Sequence, residues 1–268
     1  MTNYILIDLS YFIFYRYFAL IQWWKMAKQD EPLTVPFENP EFCEKFKKTF
    51  IEKLNEIPKR LRIKSKDYII IGARDCPRQD IWRNQLFDNY KGTRGNDDAF
   101  MGGPFFKMAY DFLVESTNCR HIIKFDSLEA DDCIALTTMY LKNKYPDKDT
   151  TIHIIANDMD YLQLADTQTH IINLKYKDLQ DSKTSTKDAK KDLFLKTVIG
   201  DKSDNIPGIF KKCGIKTAQK YYDNKELFES MLKKENAYAQ YEKNKKIIDF
   251  NEIPEILANK FRETISAL

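Results

Sequence analysis

Three short apolar runs along the chain each stop on a carboxylate. Tyr4-Ile5-Leu6-Ile7 runs into Asp8, Tyr68-Ile69-Ile70-Ile71-Gly72-Ala73-Arg74 into Asp75, and Thr151-Ile152-His153-Ile154-Ile155-Ala156-Asn157 into Asp158-Met159-Asp160. Runs of this length and composition predict central parallel strands covered on both faces. Ile171-Ile172-Asn173-Leu174 predicts another short strand. Elsewhere the period is helical: an aromatic-rich segment from Ser10 to Phe18, then Phe46, Phe50, Leu54 and Ile57, then Ala130, Cys133, Ile134, Thr137 and Leu141. Such alternation makes an α/β fold with a mostly parallel sheet. Ligands of open α/β sheets sit at the carboxyl ends of the strands, so the pattern brings these acids to one edge. A single Asp after a strand is most often a turn former, but three of them are hard to explain that way.

The third helix opens on Asp126-Ser127-Leu128-Glu129-Ala130-Asp131-Asp132. Asp126 or Ser127 suits the N-cap, and acids in a first turn complement the helix dipole at about 0.3 to 1 kcal/mol each. At about 100° per residue, Glu129, Asp131 and Asp132 fan over roughly 160°, a spread better matched to two neighbouring cations than to one.

With 43 basic and 40 acidic residues among 268, the net charge of +3 singles out no class of partner, since an acidic metal site and a basic binding face cancel. The five cysteines are odd in number and widely spaced, with no Cys-x-x-Cys, and the three histidines form no zinc-type pair with them. Reduced cysteines, no apolar run near about 20 residues and no leader-like start predict a soluble intracellular protein, in cytoplasm or nucleus, with no membrane contact.

Basic residues concentrate around and after Asp75, ahead of Glu129, where Arg74, Arg78, Arg83, Lys91 and Arg94 alternate with Trp82, Phe87 and Tyr90, and Gly92, Gly95, Gly102 and Gly103 break the chain. Bases beside aromatics and glycines, tethered at both ends to acid-bearing elements, suit a mobile grip on a sugar-phosphate backbone. Arg16 is the one side chain of the first helix that asks for an anion, and Trp23-Trp24 suits packing better than base stacking. Gln180 to Lys191 is polar and aperiodic, a linker. Beyond it, Gly208-Ile209-Phe210-Lys211-Lys212-Cys213-Gly214 leads into a helix starting Ile215-Lys216-Thr217, a glycine turn that offers backbone N–H groups to phosphate.

Five stretches then combine. Ile7-Asp8-Leu9-Ser10 with Tyr15-Arg16, Trp82-Arg83 to Arg94, Glu129-Ala130-Asp131-Asp132, Asp158-Met159-Asp160, and Gly200-Asp201-Lys202-Ser203-Asp204-Asn205-Ile206-Pro207-Gly208 resemble, in order and spacing, the metal-dependent 5′ nucleases. That family includes flap endonucleases, the N-terminal domain of bacterial DNA polymerase I and phage replication 5′ nucleases, and the tail around Asn244 to Pro254 looks like the compact phage type, so a viral origin is plausible. The resemblance implies a PIN-like sheet domain over residues 1–191 with a helical arch at about 76–115. It also implies a helix-hairpin-helix module of the H3TH type over 192–268 that packs back on the core. By resemblance, Asp8, Asp75, Glu129, Asp131 and Asp132 serve a first metal, and Asp158, Asp160, Asp201 and Asp204 a second. Lys91 and Arg94 match the arch bases, and Arg83 a further phosphate contact. Arg16, Arg78, Gly208, Lys211, Lys212, Gly214, Lys216 and Thr217 fall on DNA-binding positions.

The implied activity is 5′-3′ exonuclease and flap endonuclease hydrolysis of DNA, and of RNA primers on DNA, leaving 5′-phosphates in replication or repair. The implied cofactors are two Mg²⁺ ions, with Mn²⁺ as substitute. The partners are DNA with 5′ ends, flaps or nicks, RNA–DNA hybrid and replication proteins, for a monomer. Three departures stand out: Leu9 for a Gly, Asn157 for a Ser or Thr, and a hairpin one residue longer with Lys212 for a Gly. The last weakens the case for a monovalent cation chelated there. A catalytically silent junction-binding scaffold and a PIN-like ribonuclease are the competing readings.

Overall fold

The computed structural model describes residues 2–64, 67–93, 100–146 and 150–266. Its sheet has five parallel strands in the order β3-β2-β1-β4-β5: β1 Thr2–Asp8, β2 Tyr68–Ala73, β3 Cys119–Ile123, β4 Thr150–Ile155 and β5 Thr169–Ile172. The three predicted central strands are neighbours, with Asp8 opposite Ala73 and Ile7 opposite Ile155. Their acid-bearing ends therefore lie side by side.

Helices cover both faces, as continuous apolar strands require. Ile5, Ile7, Ile70 and Ile155 point to one side, against α1 Leu9–Ala27, α2 Pro40–Asn55, α3 Ile57–Arg60 and α4 Gly103–Ser116. Leu6, Ile71, Ile152 and Ile154 point to the other, against α5 Ala130–Lys144. The departure at Leu9 has a packing reason: its fully buried side chain fills the space over Gly72, where an added Cβ would come within 2.7 Å of Leu9 Cδ1. Trp24 is buried and donates its indole N–H to Glu31 O at 2.9 Å, so the packing reading of that tryptophan holds.

A second cluster is built from α6 Ala189–Ile199, α7 Ile215–Asp223, α8 Lys225–Lys234 and α9 Tyr238–Ile248, around Val198, Phe210, Tyr221 and Phe228. The chain then returns: Phe250 and Ile253, with Ala258, Phe261 and Ile265 of α10 (Glu255–Ser266), join the α5 side of the main core.

Two expectations change. The third predicted helix begins at Ala130 with Glu129 as its N-cap; Asp126 and Ser127 belong to the preceding turn, where Ser127 adopts a left-handed φ of 66° and Leu128 is buried. The stretch expected as an arch reaches α4, but Phe105, Ala109 and Leu113 bury α4 in the main core, so its span is a covering helix of the sheet. Strand β3 was not foreseen, because Cys119-Arg120-His121-Ile122-Ile123 has too short an apolar run to stand out.

Candidate metal centre

Along the carboxyl edge of β2, β1 and β4 lies a cleft of 390 Å³ whose lining includes Asp8, Asp75, Glu129, Asp131, Asp158, Arg78 and Lys91. Each acid is oriented by its own segment. Asp8 caps α1, accepting the Tyr11 N–H at 3.0 Å, and Tyr161 donates its hydroxyl to Oδ2 at 3.2 Å. Asp75 accepts Ser10 Oγ–H at 2.6 Å and the Ala130 N–H at 2.8 Å, so it joins β2 to the start of α5. Asp158 caps the 3₁₀ turn Met159–Leu164 through the Asp160 N–H at 2.9 Å.

Two groups of carboxylates come close enough to share a small ion: oxygens of Glu129, Asp131 and Asp132 lie within 4.8 Å of one another, as do oxygens of Asp160, Asp201 and Asp204. The second group depends on a turn. Gly200, at φ 77°, starts a loop closed by Asp201 N–H to Ile206 O at 2.9 Å and Ile206 N–H to Asp201 O at 2.7 Å. This loop is stitched to the basic stretch by Lys91 N–H to Asp204 O at 3.1 Å, Thr93 Oγ1–H to Asn205 Oδ1 at 2.9 Å and Asn205 Nδ2–H to Asn89 O at 3.0 Å.

The electrostatics of the edge call for cations. Burial and the neighbouring Asp75 carboxylate push the Asp8 carboxyl up to about 7. Burial and Asp131 raise Glu129 to about 7, with Lys91 and Arg83 pulling the other way. Burial lifts Asp160 to about 7 against the pull of Lys196. Asp201, although burial disfavours its charge, is held down to about 2 by Lys196 and by Ser203 hydrogen bonds. Two lysine ammoniums are already seated among these acids. Lys91 Nζ is 2.5 Å from Glu129 Oε1 and 4.0 Å from Asp204 Oδ2, and Lys196 Nζ contacts Asp160 and lies 2.7 Å from Asp201 Oδ2. Both lysines are raised above their ordinary value despite burial, because carboxylates surround them. An all-oxygen donor set that already attracts ammonium groups fits a hard divalent cation.

Two of the expected site residues lie in a buried ion pair. Arg83, expected to touch phosphate, is 2% exposed, with all its reach spent internally. Nη1 and Nη2 grip Asp132 at 2.8 and 2.7 Å, Nη1 also bonds Glu129 Oε2 at 3.0 Å, and Nε–H donates to Ile247 O at 2.7 Å. Asp132, expected as a metal ligand, is 0% exposed and takes Trp82 Nε1–H at 3.0 Å and the Glu129 N–H at 3.1 Å besides Arg83. Both oxygens are committed, and Asp132 does not line the cleft. Burial of two charges requires such pairing. The pair joins the start of α5 to the end of α9.

Other expected residues scatter. Arg94 lies outside the described residues. Arg16 is half-buried on α1 away from the cleft, its Nε without a hydrogen-bond partner among the described residues, and burial lowers its guanidinium from the ordinary value. Arg78 lines the cleft and its guanidinium donates to Lys91 O. Lys211 and Lys212 are exposed beside the buried Ile209 and Phe210, Gly214 caps α7, and in its first turn Lys216 is exposed and Thr217 half-buried. Gly208 packs too closely on α6 for a side chain, since an added Cβ would lie 2.7 Å from Ile199 O. Sequence reasoning missed Lys196, which reads as an ordinary basic residue in a last helical turn, and Tyr90 and Tyr161, whose hydroxyls bond Glu129 and Asp8.

Residues 3–194 match the family model described as the 5′-3′ exonuclease, N-terminal resolvase-like domain. The chain is 29% identical over 181 residues to DNA polymerase I of Lactococcus lactis subsp. cremoris, covering 60% of this chain and 20% of that one. It is 30% identical over 160 residues to the 5′-3′ exonuclease of Bacillus subtilis, covering 56% and 51%. It thus spans about a fifth of such polymerases and about half of such exonucleases. Among solved structures, the T5 5′-exonuclease with divalent zinc ions superposes with a TM-score of 0.68 at 14% identity, over 99% of this chain and 98% of that one. A bacteriophage T5 D15 flap endonuclease variant described as a pseudo-enzyme-product complex with DNA and metal ions gives 0.66 over the same shares. The fold is therefore that of the phage 5′ nucleases, and the chain belongs to the 5′-3′ exonuclease family, N-terminal resolvase-like domain.

Proposed function

We propose that this chain is a structure-selective 5′ nuclease that hydrolyses phosphodiester bonds in DNA, and in RNA primers on DNA, during replication or repair. The observation that carries the reading is the acidic edge itself: Asp8, Asp75, Asp131 and Asp158 from adjacent parallel strands and the start of α5 face one cleft, with the Lys91 ammonium seated among them. A merely structural cluster has no reason to direct this much like charge at solvent, given that Asp8, Glu129 and Asp160 are all raised toward neutrality.

Asp8, Asp75, Glu129 and Asp131 would hold one Mg²⁺, and Asp158, Asp160, Asp201 and Asp204 a second, with Mn²⁺ as substitute. When bound, such ions activate water and neutralise charge on a scissile phosphate. The chain's own groups do the rest. Tyr161 and Ser10 orient Asp8 and Asp75, Arg83 and Tyr90 fix Glu129, and Lys91 holds positive charge where a phosphate enters. Lys211 and Lys212 with the first turn of α7 form the duplex-binding face of a module over residues 192–268.

The test is a substrate panel: end-labelled 5′-flap, nicked, blunt and single-stranded DNA and an RNA–DNA hybrid, each with Mg²⁺ and with chelator. Products mapping near a flap junction or at 5′ ends, only with metal, are expected. Tight binding of every substrate without cleavage in Mg²⁺ or Mn²⁺ would move the reading to a junction-binding scaffold, and a preference for single-stranded RNA would move it to a ribonuclease.

A further inference from the structure

The two acid groups differ in how many of their acids an ammonium already engages. Among the described residues no ion pair reaches Asp8, Asp75 or Asp131; their oxygens accept from neutral donors, the Tyr161 and Ser10 hydroxyls and backbone N–H groups. The Lys91 ammonium reaches that group through Glu129 alone, whereas in the second group one ammonium meets three of the four acids. Lys196 reaches from the last turn of α6 so that Nζ touches Asp160 Oδ1, lies 2.7 Å from Asp201 Oδ2 and stands 3.9 Å from Asp158 Oδ1. The side chains of Lys196, Asp160 and Asp201 are only 18%, 14% and 17% exposed, so water screens these pairs weakly.

A divalent ion bound by Asp160 and Asp201 would need the same oxygens. Oxygens of Asp160, Asp201 and Asp204 within 4.8 Å of one another span one small ion's ligand shell, and the ammonium sits against two of the three acids. A lysine is charged at neutral pH, so it cannot make way by losing its proton, but its four-carbon stem allows the head group to swing out.

We propose that Lys196 is the resident counter-cation of the second acid group, which a divalent ion must displace, so that Lys196 sets a binding order: the first ion at the group around Asp131, the second, more weakly, at Asp160 and Asp201. This rests on reading both groups as divalent-ion sites. Lys196 acts through the carboxylates and is a positioning residue. In the absence of metal it holds the 3₁₀ turn, the end of α6 and the Asp201 loop together, so the acids are preassembled without self-repulsion.

The experiment is calorimetric titration of Mn²⁺ into the full chain and into Lys196→Met, without nucleic acid. Wild type should take up two ions with the second clearly weaker. Removing one unit charge from contact with the site should tighten the second ion by about tenfold or more and leave the first unchanged. A purely structural lysine predicts the reverse, a second ion weakened by disorder of the acids. Because the variant could fold poorly, wild-type protein is also labelled by reductive methylation and Lys196 modification read by mass spectrometry. Modification should rise on saturation with Mg²⁺, as the ammonium leaves the carboxylates. Mn²⁺ uptake with an unchanged or weaker second ion in Lys196→Met, or Lys196 labelling indifferent to Mg²⁺, overturns the inference alone. Absence of Mn²⁺ uptake by either protein overturns it together with the divalent-ion reading.

Discussion

Replacing Arg83 by Met keeps most of the side-chain stem and removes the guanidinium. The variant loses two bonds to Asp132, one to Glu129 and the Nε–H donated to Ile247 O. It leaves Asp132 fully buried with only the Trp82 indole and one backbone N–H for company. Stripping one partner from a buried ion pair costs about 3 to 5 kcal/mol, and the lost bond to the α9 carbonyl about 1 more. Uptake of a proton by Asp132 recovers part of this, since burial already raises its carboxyl. We expect a net loss of about 4 kcal/mol, a fall in Tm of about 8 °C or more. Urea unfolding followed by tryptophan fluorescence measures it, because the Arg83 guanidinium lies 4.7 Å over the Trp82 ring and reports locally. A phosphate-contacting arginine behaves otherwise: stability stays within about 0.5 kcal/mol, and the salt dependence of DNA binding drops by about one charge. Wild-type stability in Arg83→Met would refute the buried-pair account. The Arg83→Met, Asp132→Leu double variant should be more stable than the sum of the single losses, because no buried charge is then left alone.

Other consequences concern pH and the loop that carries Asp201. With Asp8, Glu129 and Asp160 each raised to about 7 from ordinary values near 4, the metal-free fold binds protons more tightly than the unfolded chain between about pH 4 and 7. Their contribution to stability is fully present below that window and lost as pH rises through 7. The urea midpoint of metal-free protein should fall from pH 5 to pH 8 and be restored at pH 8 by Mg²⁺; a flat or rising midpoint would contradict these shifts. Gly200→Ala places a Cβ 2.4 Å from Ile206 O at a φ of 77°. It should cost about 1 to 3 kcal/mol and weaken ion binding at Asp201 more than at Asp131, as read by Mn²⁺ titration.

The strands ending on Asp8, Asp75 and Asp158 could be read in the sequence because burial on both faces writes them as unbroken apolar runs, and parallel pairing puts their ends on one edge. The acid turn was legible as a cluster but not in its division of labour. Glu129 and Asp131 face the cleft, whereas Asp132 turns inward to Arg83, a partner 49 positions away that local periodicity cannot indicate. Arg83 looked like one more base in a basic stretch for the same reason. Lys196 carries no local signal at all, since its partners come from two separate loops. The cap of α5 was misplaced because Asp126 and Ser127 have good capping chemistry, while Leu128, buried in the core, fixes where the chain turns and leaves Glu129 to cap.

The proposed metal-dependent hydrolysis rests on the carboxylates of this edge. The most direct measurement compares single-turnover cleavage of a 5′-flap duplex in Mg²⁺ by wild type and Asp131→Asn, with duplex affinity measured on the same samples. A loss of cleavage of at least about a hundredfold is expected, with DNA binding largely kept, because Asp131 lines the cleft and lies apart from the proposed duplex-binding face of Lys211, Lys212 and α7. Cleavage by Asp131→Asn at the wild-type rate would show that this edge does not carry the hydrolysis.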